Sequence, residues 1–147
     1  MTPYIHTVQY YETDKMGVTH HSNYIRWMEE ARVAMLEEIG WGYDRLEALG
    51  VGSPVIGINC EYKSPTTFPD RVEITASVLE YRGVHLAVSY HMRRLSDGRT
   101  VLTGTSRHCF MGTDGKLLRL RRVLPEFDAV LRSLAADPPA KGTAQEE

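Results

Sequence analysis

Cysteine is scarce in this sequence, and neither sign of charge predominates. The only two cysteines, Cys60 and Cys109, lie far apart in apolar alternating segments, where a free thiol is typical of a small buried side chain. The 17 basic and 19 acidic residues leave a formal net charge of −2. A chain without a basic excess lacks the electrostatic footprint of nonspecific nucleic-acid binding, so we expect no nucleic-acid partner.

Long apolar runs are also absent. The longest uncharged stretch, residues 48–60, is shorter than the roughly 18 to 20 apolar residues of a membrane span and is interrupted by glycine, serine, proline and asparagine. Residues 1–17 do not join a basic segment to an apolar one, so we expect no secretory signal and a cytoplasmic protein. The motifs of serine hydrolases, phosphate-binding loops and dinucleotide-binding folds are missing, which disfavours those three chemistries.

Length and composition indicate one domain. A chain of 147 residues, 42% of them hydrophobic, suffices for a single core. We therefore predict a single domain over residues 1–135. Residues 136–147 contain two prolines and two terminal glutamates without apolar periodicity, so we predict a disordered C-terminal tail there.

The clearest local pattern is a helix that begins at Ser22 or Asn23, either of which suits a helix cap, and that ends at Gly40. Its apolar residues recur at spacings of three and four: Tyr24, Trp27, Met28, Ala31, Met35, Leu36 and Ile39. Its charged face comprises Arg26, Glu29, Glu30, Arg32, Glu37 and Glu38. A shorter helix is predicted over residues 43–49.

From Pro54 onward the apolar period changes to two, which is typical of strands. Three alternating runs each predict a strand with one buried face: residues 56–62, 72–78 and 84–92. The turn signal Ser96-Asp97-Gly98 predicts a hairpin to a further strand over residues 100–111. Shorter strands are predicted over residues 5–10 and 117–120, and a helix over residues 126–134 with Pro125 in its first turn. The pattern predicts an α+β fold, in which a long helix packs on an antiparallel sheet. The edges of such a sheet need protection, which pairing with a second copy of the chain can provide.

The segment of residues 10–24, which leads directly into the long helix, is the best candidate for chemistry. A helix N-terminus offers unpaired N–H groups and a partial positive charge, which polarise a carbonyl oxygen under attack. Asp14, a few residues upstream, is a candidate base or nucleophile. Asp, Thr and Gly before a helix are equally typical of an ordinary turn, so both interpretations of Asp14 stay open.

The remaining acids and histidines near this segment carry weaker signals. Glu30 is expected to be a solvated surface charge, whereas Glu29 is expected to lean toward the loop. The adjacent His20 and His21 point in divergent directions and lack a third ligand at a recognisable spacing. We therefore predict no metal site.

The same segment carries a family resemblance. Its pattern, Tyr10-x-Glu12-Thr13-Asp14-x-x-Gly17-Val18-x-x-His21-x-Asn23-Tyr24 followed by Glu29-x-Ala31-Arg32, resembles the signature of the 4-hydroxybenzoyl-CoA thioesterase-like branch of the hotdog acyl-CoA thioesterases. The resemblance covers about residues 5–132 and includes Gly52-Ser53-Pro54, Tyr62-Lys63-Ser64-Pro65, Phe68-Pro69-Asp70 and Glu80-Tyr81-Arg82. The chain departs from the family at Glu12, where the family usually has Asp, and at His20, where it often has Tyr.

The resemblance implies a hotdog fold, in which a five-stranded antiparallel sheet wraps around the long helix. It also implies a homodimer or homotetramer that joins edge to edge and binds an acyl-CoA at the subunit interface. Asp14 is then the catalytic carboxylate, as nucleophile or as general base, and the His21 N–H binds the thioester oxygen. The implied substrate-lining residues are Gly17, Val18, Tyr24, Glu29 and Ser53, and the implied CoA contacts are Lys63 and Arg82.

The sequence thus favours hydrolysis of an aromatic or a short- to medium-chain acyl-CoA to the free acid and CoA, without a metal or redox cofactor. One alternative is a hotdog hydratase or dehydratase for β-hydroxyacyl thioesters, which would pair His21 with Glu29 at the β-carbon. Another is a non-catalytic acyl-CoA or acyl-carrier-protein binding module, in which Asp14 is a turn residue. The acyl preference, the role of the Asp14 carboxylate and the choice between dimer and tetramer stay open.

Overall fold

The computed structural model describes residues 1–136. Within them the strands are β1 (Tyr4–Thr7), β2 (Val55–Tyr62), β3 (Arg71–Tyr81), β4 (His85–Arg94) and β5 (Thr100–Cys109). The helices are α1 (Ser22–Glu38), α2 (Tyr43–Ala48), α3 (Leu120–Val123) and α4 (Pro125–Ala136), and a 3-10 helix spans Tyr10–Glu12.

The five strands form one antiparallel sheet in the order β1-β3-β4-β5-β2. β1 and β2 are therefore its edge strands. β4 and β5 form the predicted hairpin, and Gly98 supplies the positive φ of +74° in its turn. The prediction of an α+β fold with a five-stranded antiparallel sheet is confirmed.

The apolar face of α1 packs on the sheet, where it contacts β1 and β3. The helix spacing predicted this face correctly, and the buried apolar residues are Tyr24, Trp27, Met28, Ala31, Met35 and Leu36. Burial of a large apolar side chain contributes about 1.5–3 kcal/mol, so this face of the helix is a major part of the core. The sheet and α1 together fix the position of the loop that precedes the helix.

The charged face of α1 is smaller than predicted, because Arg32 is buried. Its Nε donates to the Tyr43 hydroxyl at 2.8 Å, and its Nη1 donates to the Tyr90 hydroxyl at 2.9 Å. The sequence period places Arg32 at the border of the apolar face. Only the position of the tyrosines across the core decides that the guanidinium turns inward.

The start of α1 also differs from the prediction that Ser22 or Asn23 caps it. His21 precedes the helix in an αR conformation and makes no side-chain cap. Instead, the Nδ1 of His20 accepts the Ser22 N–H at 3.2 Å. The Asn23 side chain donates to the carbonyl oxygens of Glu12 and His20, which removes it from any capping role.

Two short strands differ from their predictions. β1 is present but ends at Thr7, and Tyr10, the last residue of the predicted strand, begins the 3-10 helix, because the Glu12 carboxylate accepts the Gln9 N–H at 2.8 Å and closes that turn. In the predicted strand over residues 117–120, only Leu117 makes a bridge, to Met111. The fully buried Leu120 begins α3 instead.

β2 alternates as predicted, but its apolar face is not buried in the single chain. Ile56, Ile58 and Tyr62 are 46%, 37% and 52% exposed. On the same face, Cys60 lies 3.6 Å from the sulfur of Met28. The prediction of one buried face is wrong for this strand, because α1 packs mainly on β1 and β3, whereas β2 lies at the opposite edge of the sheet.

The remaining boundaries agree closely with the predictions. α4 has Pro125 in its first turn and extends to Ala136, one residue into the predicted tail. The other residues of that tail, 137–147, lie outside the described residues. Both cysteines are free, as predicted. Among the helices of residues 1–136, none has the length and hydropathy of a membrane crossing.

Candidate active site

The loop from Asp14 to Gly17 reverses the chain just before α1. The Asp14 N–H donates to the Val18 carbonyl, and the Gly17 N–H donates to the Asp14 carbonyl, both at 2.9 Å. Gly17 makes the turn possible with a φ of +81°. A bridge between Thr13 and Thr19 closes the base of the loop. These contacts hold the loop against the residues that begin the helix.

The Asp14 carboxylate is half-buried at this loop. Its Oδ1 accepts the Met16 N–H at 2.8 Å, which fixes the side-chain orientation. Its Oδ2 accepts no hydrogen bond from any residue in the described range. One carboxylate oxygen is therefore held while the other is available to a substrate or a water.

The N-terminus of α1 lies directly after this loop. The His20 N–H donates to the Glu12 carbonyl at 2.8 Å, which ties the helix start to the residue two positions before Asp14. The His21 N–H has no hydrogen-bond partner within residues 1–136. A 17-residue helix places a partial positive charge at this end, where an amide donor can stabilise a developing oxyanion.

A cavity of about 290 Å³ opens beside the helix start. Its walls include the aromatic rings of Tyr24 and Tyr62, whose centroids are 5.6 Å apart, and the ring of His21, which lies 6.5 Å from Tyr62. The Tyr24 hydroxyl and the Thr66 hydroxyl are hydrogen-bonded at 3.0 Å, so this ring serves the core as well as the cavity. Lys63 also lines the cavity.

Asp14, Gly17 and Val18 thus lie in the loop directly before α1, and His21, Tyr24 and Lys63 line the cavity at the helix start. The loop is attached to the strand connection beside the cavity, because the Thr67 hydroxyl donates to the Gly17 carbonyl at 2.6 Å. The Thr19 and Thr66 hydroxyls add a second link at 2.7 Å.

Three predicted site residues lie elsewhere in the single chain. Glu29 is exposed on α1. Arg82 follows the end of β3, where it forms an ion pair with Glu80 and lines a second cavity of about 350 Å³. Ser53 lies before β2, half-buried beside His108, which lines that same cavity. Because Lys63 follows the opposite end of β2, Ser53 and Arg82 are separated from the loop by the length of that strand.

A buried acidic cluster behind the loop was not predicted. Glu12 is only 5% exposed, and its two carboxylate oxygens accept hydrogen bonds from the Gln9 N–H, His6 Nε2 and Trp27 Nε1 at 2.8–2.9 Å. Burial raises the pKa of Glu12, but these hydrogen bonds outweigh it, so the pKa lies below its ordinary value. The position of Glu12 inside the motif was the available signal.

Glu30 belongs to the same cluster, so the predicted solvated surface charge is only partly correct: its side chain is 38% exposed but has two partners. One of its carboxylate oxygens accepts the Tyr4 hydroxyl at 2.8 Å and faces His6 Nδ1 at 2.9 Å. Burial, followed by the effect of Glu30, raises the pKa of Tyr4 to about 12, so the phenol keeps its proton. Helical spacing alone could not show that β1 covers this part of α1.

A second buried polar chain starts at Arg32. Its Nη1 donates to the Tyr90 hydroxyl, which is 2.7 Å from Ser106 Oγ, and Ser106 Oγ is 2.7 Å from His108 Nε2. Burial, and then the charge of Arg32, lowers the pKa of His108 to about 4. The chain ends at His108 Nδ1, a buried nitrogen without a hydrogen-bond partner among the described residues.

The adjacent histidines do not assemble a ligand set. The rings of His20 and His21 stack with centroids 4.4 Å apart, and His20 Nδ1 is 2.8 Å from the Ser22 hydroxyl. Within residues 1–136, no three His, Cys, Asp or Glu side chains are arranged to hold a metal ion.

Comparison with known proteins agrees with this geometry. A family model described as the Thioesterase-like superfamily matches residues 8–138. YneP of Bacillus subtilis (strain 168), provisionally named as an acyl-CoA thioesterase, is 31% identical over 120 residues, which are 82% of this chain and 87% of YneP. The acyl-CoA thioester hydrolase YbgC of Escherichia coli O157:H7 is 33% identical over 79 residues, 54% of this chain and 59% of YbgC. The structure of the DHNA-CoA thioesterase from Staphylococcus aureus matches with a TM-score of 0.88 at 29% identity and covers 92% of this chain and 91% of that one.

The sheet order, the central helix and the carboxylate loop at its N-terminus define a hotdog-fold thioester hydrolase. The family match extends over most of the sequence. The chain belongs to the Thioesterase-like superfamily, as the resemblance of its motif indicated.

Proposed function

We propose that this enzyme hydrolyses an acyl-CoA thioester to a free acid and CoA, with Asp14 as its catalytic carboxylate. The observation that carries the proposal is the unpartnered Oδ2 of Asp14, in the loop directly before α1, where the Met16 N–H holds Oδ1. A carboxylate alone is a weak catalyst for thioesters. When an amide donor at a helix start lies next to the carboxylate, the carboxylate acts at the carbonyl carbon while the amide stabilises the carbonyl oxygen.

Two routes use the same groups. In one, Asp14 attacks the carbonyl carbon, the C–S bond breaks, CoA leaves as the thiol after protonation, and water hydrolyses the resulting anhydride. In the other, Asp14 takes a proton from water while that water attacks the carbonyl carbon, the C–S bond then breaks, and CoA leaves as the thiol with that proton. In both routes the His21 N–H donates to the thioester oxygen as negative charge develops there. Neither route requires a metal or a redox cofactor.

We propose that the complete site forms between two chains that pair through β2. Such pairing is antiparallel when a twofold axis relates the chains, so the start of one β2 meets the end of the other. Ser53 and Arg82, near the start of β2, then approach the Asp14 loop and Lys63 of the second copy. The exposed apolar side chains of β2 support this arrangement. Lys63 and Arg82 would hold the CoA phosphates by charge-assisted contacts.

The acyl group is proposed to be aromatic or aliphatic of short to medium length. The rings of Tyr24, Tyr62 and His21 beside the helix start suit an aromatic group, with which they can pack edge to face. The name of the Staphylococcus aureus relative, DHNA-CoA thioesterase, indicates a CoA thioester for that protein. A cytoplasmic location remains a prediction.

The proposal is tested by thiol release from benzoyl-, phenylacetyl-, short-chain and medium-chain acyl-CoAs. Asp14→Asn keeps the turn but removes the charge, so we expect kcat to fall by about 10²- to 10⁴-fold on the best substrate. Asp114→Asn is the matched control, because Asp114 Oδ1 accepts the Lys116 N–H at 3.0 Å in a turn of the same kind. Its activity should equal that of the wild type.

Three outcomes contradict the proposal. Full activity in Asp14→Asn removes the carboxylate from the mechanism. Binding of acyl-CoA by the wild type without thiol release indicates a binding module instead. Hydration of an enoyl-CoA without thiol release indicates the hydratase or dehydratase alternative.

A further inference from the structure

The cluster behind the catalytic loop links three separate elements through one buried acid. Glu12 ends the 3-10 helix, and its carboxylate accepts a donor from that turn (Gln9 N–H), one from α1 (Trp27 Nε1) and one from β1 (His6 Nε2). All three contacts are 2.8–2.9 Å long. A buried carboxylate with three donors is held rigidly, because any displacement leaves a polar group without a partner.

His6 joins two acids. Its Nε2 lies 2.9 Å from Glu12 Oε1, and its Nδ1 lies 2.9 Å from Glu30 Oε1. An ionised carboxylate only accepts hydrogen bonds, so both contacts are hydrogen bonds when both imidazole nitrogens carry a proton. The ring also packs on Trp27, with centroids 4.4 Å apart. Glu12, His6 and Glu30, with Trp27 beneath them, form what we call the acid–imidazole bridge.

The main chain of Glu12 connects this bridge to the catalytic groups. Its carbonyl oxygen accepts the His20 N–H at 2.8 Å and the Asn23 side-chain amide at 3.0 Å. Glu12 therefore contacts the residue before His21 and lies two residues before Asp14. A shift of this one residue changes the distance between the carboxylate and the amide donor.

We propose that Glu12 and His6 are positioning residues that set the Asp14 carboxylate relative to the N-terminus of α1. The proposal rests on the hydrolytic function proposed above. It assigns a role to a buried acid that makes no contact with the cavity beside the helix. Catalysis depends on geometry to within about 1 Å, so a loosened loop lowers the rate of the chemical step more than it lowers substrate affinity.

The test compares Glu12→Gln and His6→Gln with the wild type. A glutamine at position 12 offers one acceptor oxygen and turns an NH₂ group toward a donor, so one of the three contacts must break. We expect kcat to fall about 10- to 100-fold while KM changes less than about threefold. The double variant should be no slower than the slower single variant, because both substitutions break the same bridge. Glu73→Gln, at a carboxylate that pairs with Arg93 on the sheet, is the matched control with unchanged kinetics.

Amide hydrogen exchange supplies a readout that does not depend on activity. In both variants we expect faster exchange at the His20 N–H and the Asp14 N–H, with no change at the Leu118 N–H, which donates to the Phe110 carbonyl on the far side of the fold. Exchange that rises equally at all three amides, or at none, overturns the proposal, as does a rise in KM with kcat unchanged. A wild type that releases no thiol contradicts the proposed function, and the exchange experiment then still decides whether the bridge holds the loop.

Discussion

At the scale of single residues, burial decides the protonation of His108. The residue is fully buried, and the nearby charge of Arg32 adds to the cost of a second cation. His108 is therefore neutral at pH 7. Since Arg32 donates to Tyr90, the Tyr90 hydroxyl is free to donate to Ser106, and Ser106 to His108 Nε2.

This arrangement predicts a loss of stability in mild acid. The pKa of His108 is about 4 in the folded chain against 6.5 for an ordinary histidine. Between those values the unfolded chain binds a proton that the folded chain does not, so the free energy of unfolding falls as the pH falls. From pH 7 to pH 5 this histidine accounts for a loss of about 2 kcal/mol. Urea unfolding at both pH values measures it.

The control for that prediction is His108→Gln, which keeps a polar side chain but cannot titrate. Between pH 7 and pH 5, the free energy of unfolding of this variant should fall by about 2 kcal/mol less than that of the wild type. An equal pH dependence in wild type and variant would assign the acid sensitivity to other groups.

At the scale of elements, the contact between β2 and β5 depends on a glycine. Gly104 pairs with Cys60, and a Cβ at Gly104 would lie 2.5 Å from the Asn59 carbonyl oxygen of β2. The backbone of one strand cannot yield without breaking the ladder. Gly57, on β2, is also crowded, but a Cβ there would meet the guanidinium of Arg107, the end of a long side chain that can swing away.

Alanine at these two positions should therefore have unequal effects. We expect Gly104→Ala to lower the free energy of unfolding by about 1–3 kcal/mol, as overpacking does in a rigid site. Gly57→Ala should stay within about 0.5 kcal/mol of the wild type. Urea unfolding of the two variants tests the comparison, and equal losses would contradict the argument from backbone rigidity.

At the scale of the whole molecule, the β2 edge is the feature that a single chain leaves incomplete. Val55, Ile56, Ile58 and Tyr62 are exposed along one strand whose outer backbone groups have no neighbouring strand. A long apolar edge is prone to pair with another strand. In the proposed dimer, a second copy would cover this edge and would bring Ser53 and Arg82 toward the Asp14 loop.

Ile58→Glu should dissociate the predicted dimer, because it buries a charge at the centre of the paired edges. Light scattering after size-exclusion chromatography measures the mass. Leu79→Glu, at an exposed position on β3, is the matched control and should stay at least dimeric. Thiol release should be lost with the dimer in Ile58→Glu. A wild type that is monomeric yet active would contradict the composite site.

The amino-acid pattern was enough to predict the α+β class, the apolar face of α1, the hairpin between β4 and β5, and the Asp14 motif before the helix. These features depend on periodicity and on turn residues, which act between neighbours in the chain. Tertiary structure decided the features that depend on what lies opposite. It buried Arg32 against two tyrosines, enclosed Glu12 between β1 and α1, and left the apolar face of β2 uncovered. An alternating or helical pattern shows which side chains share a face, whereas only the packed fold shows what that face meets.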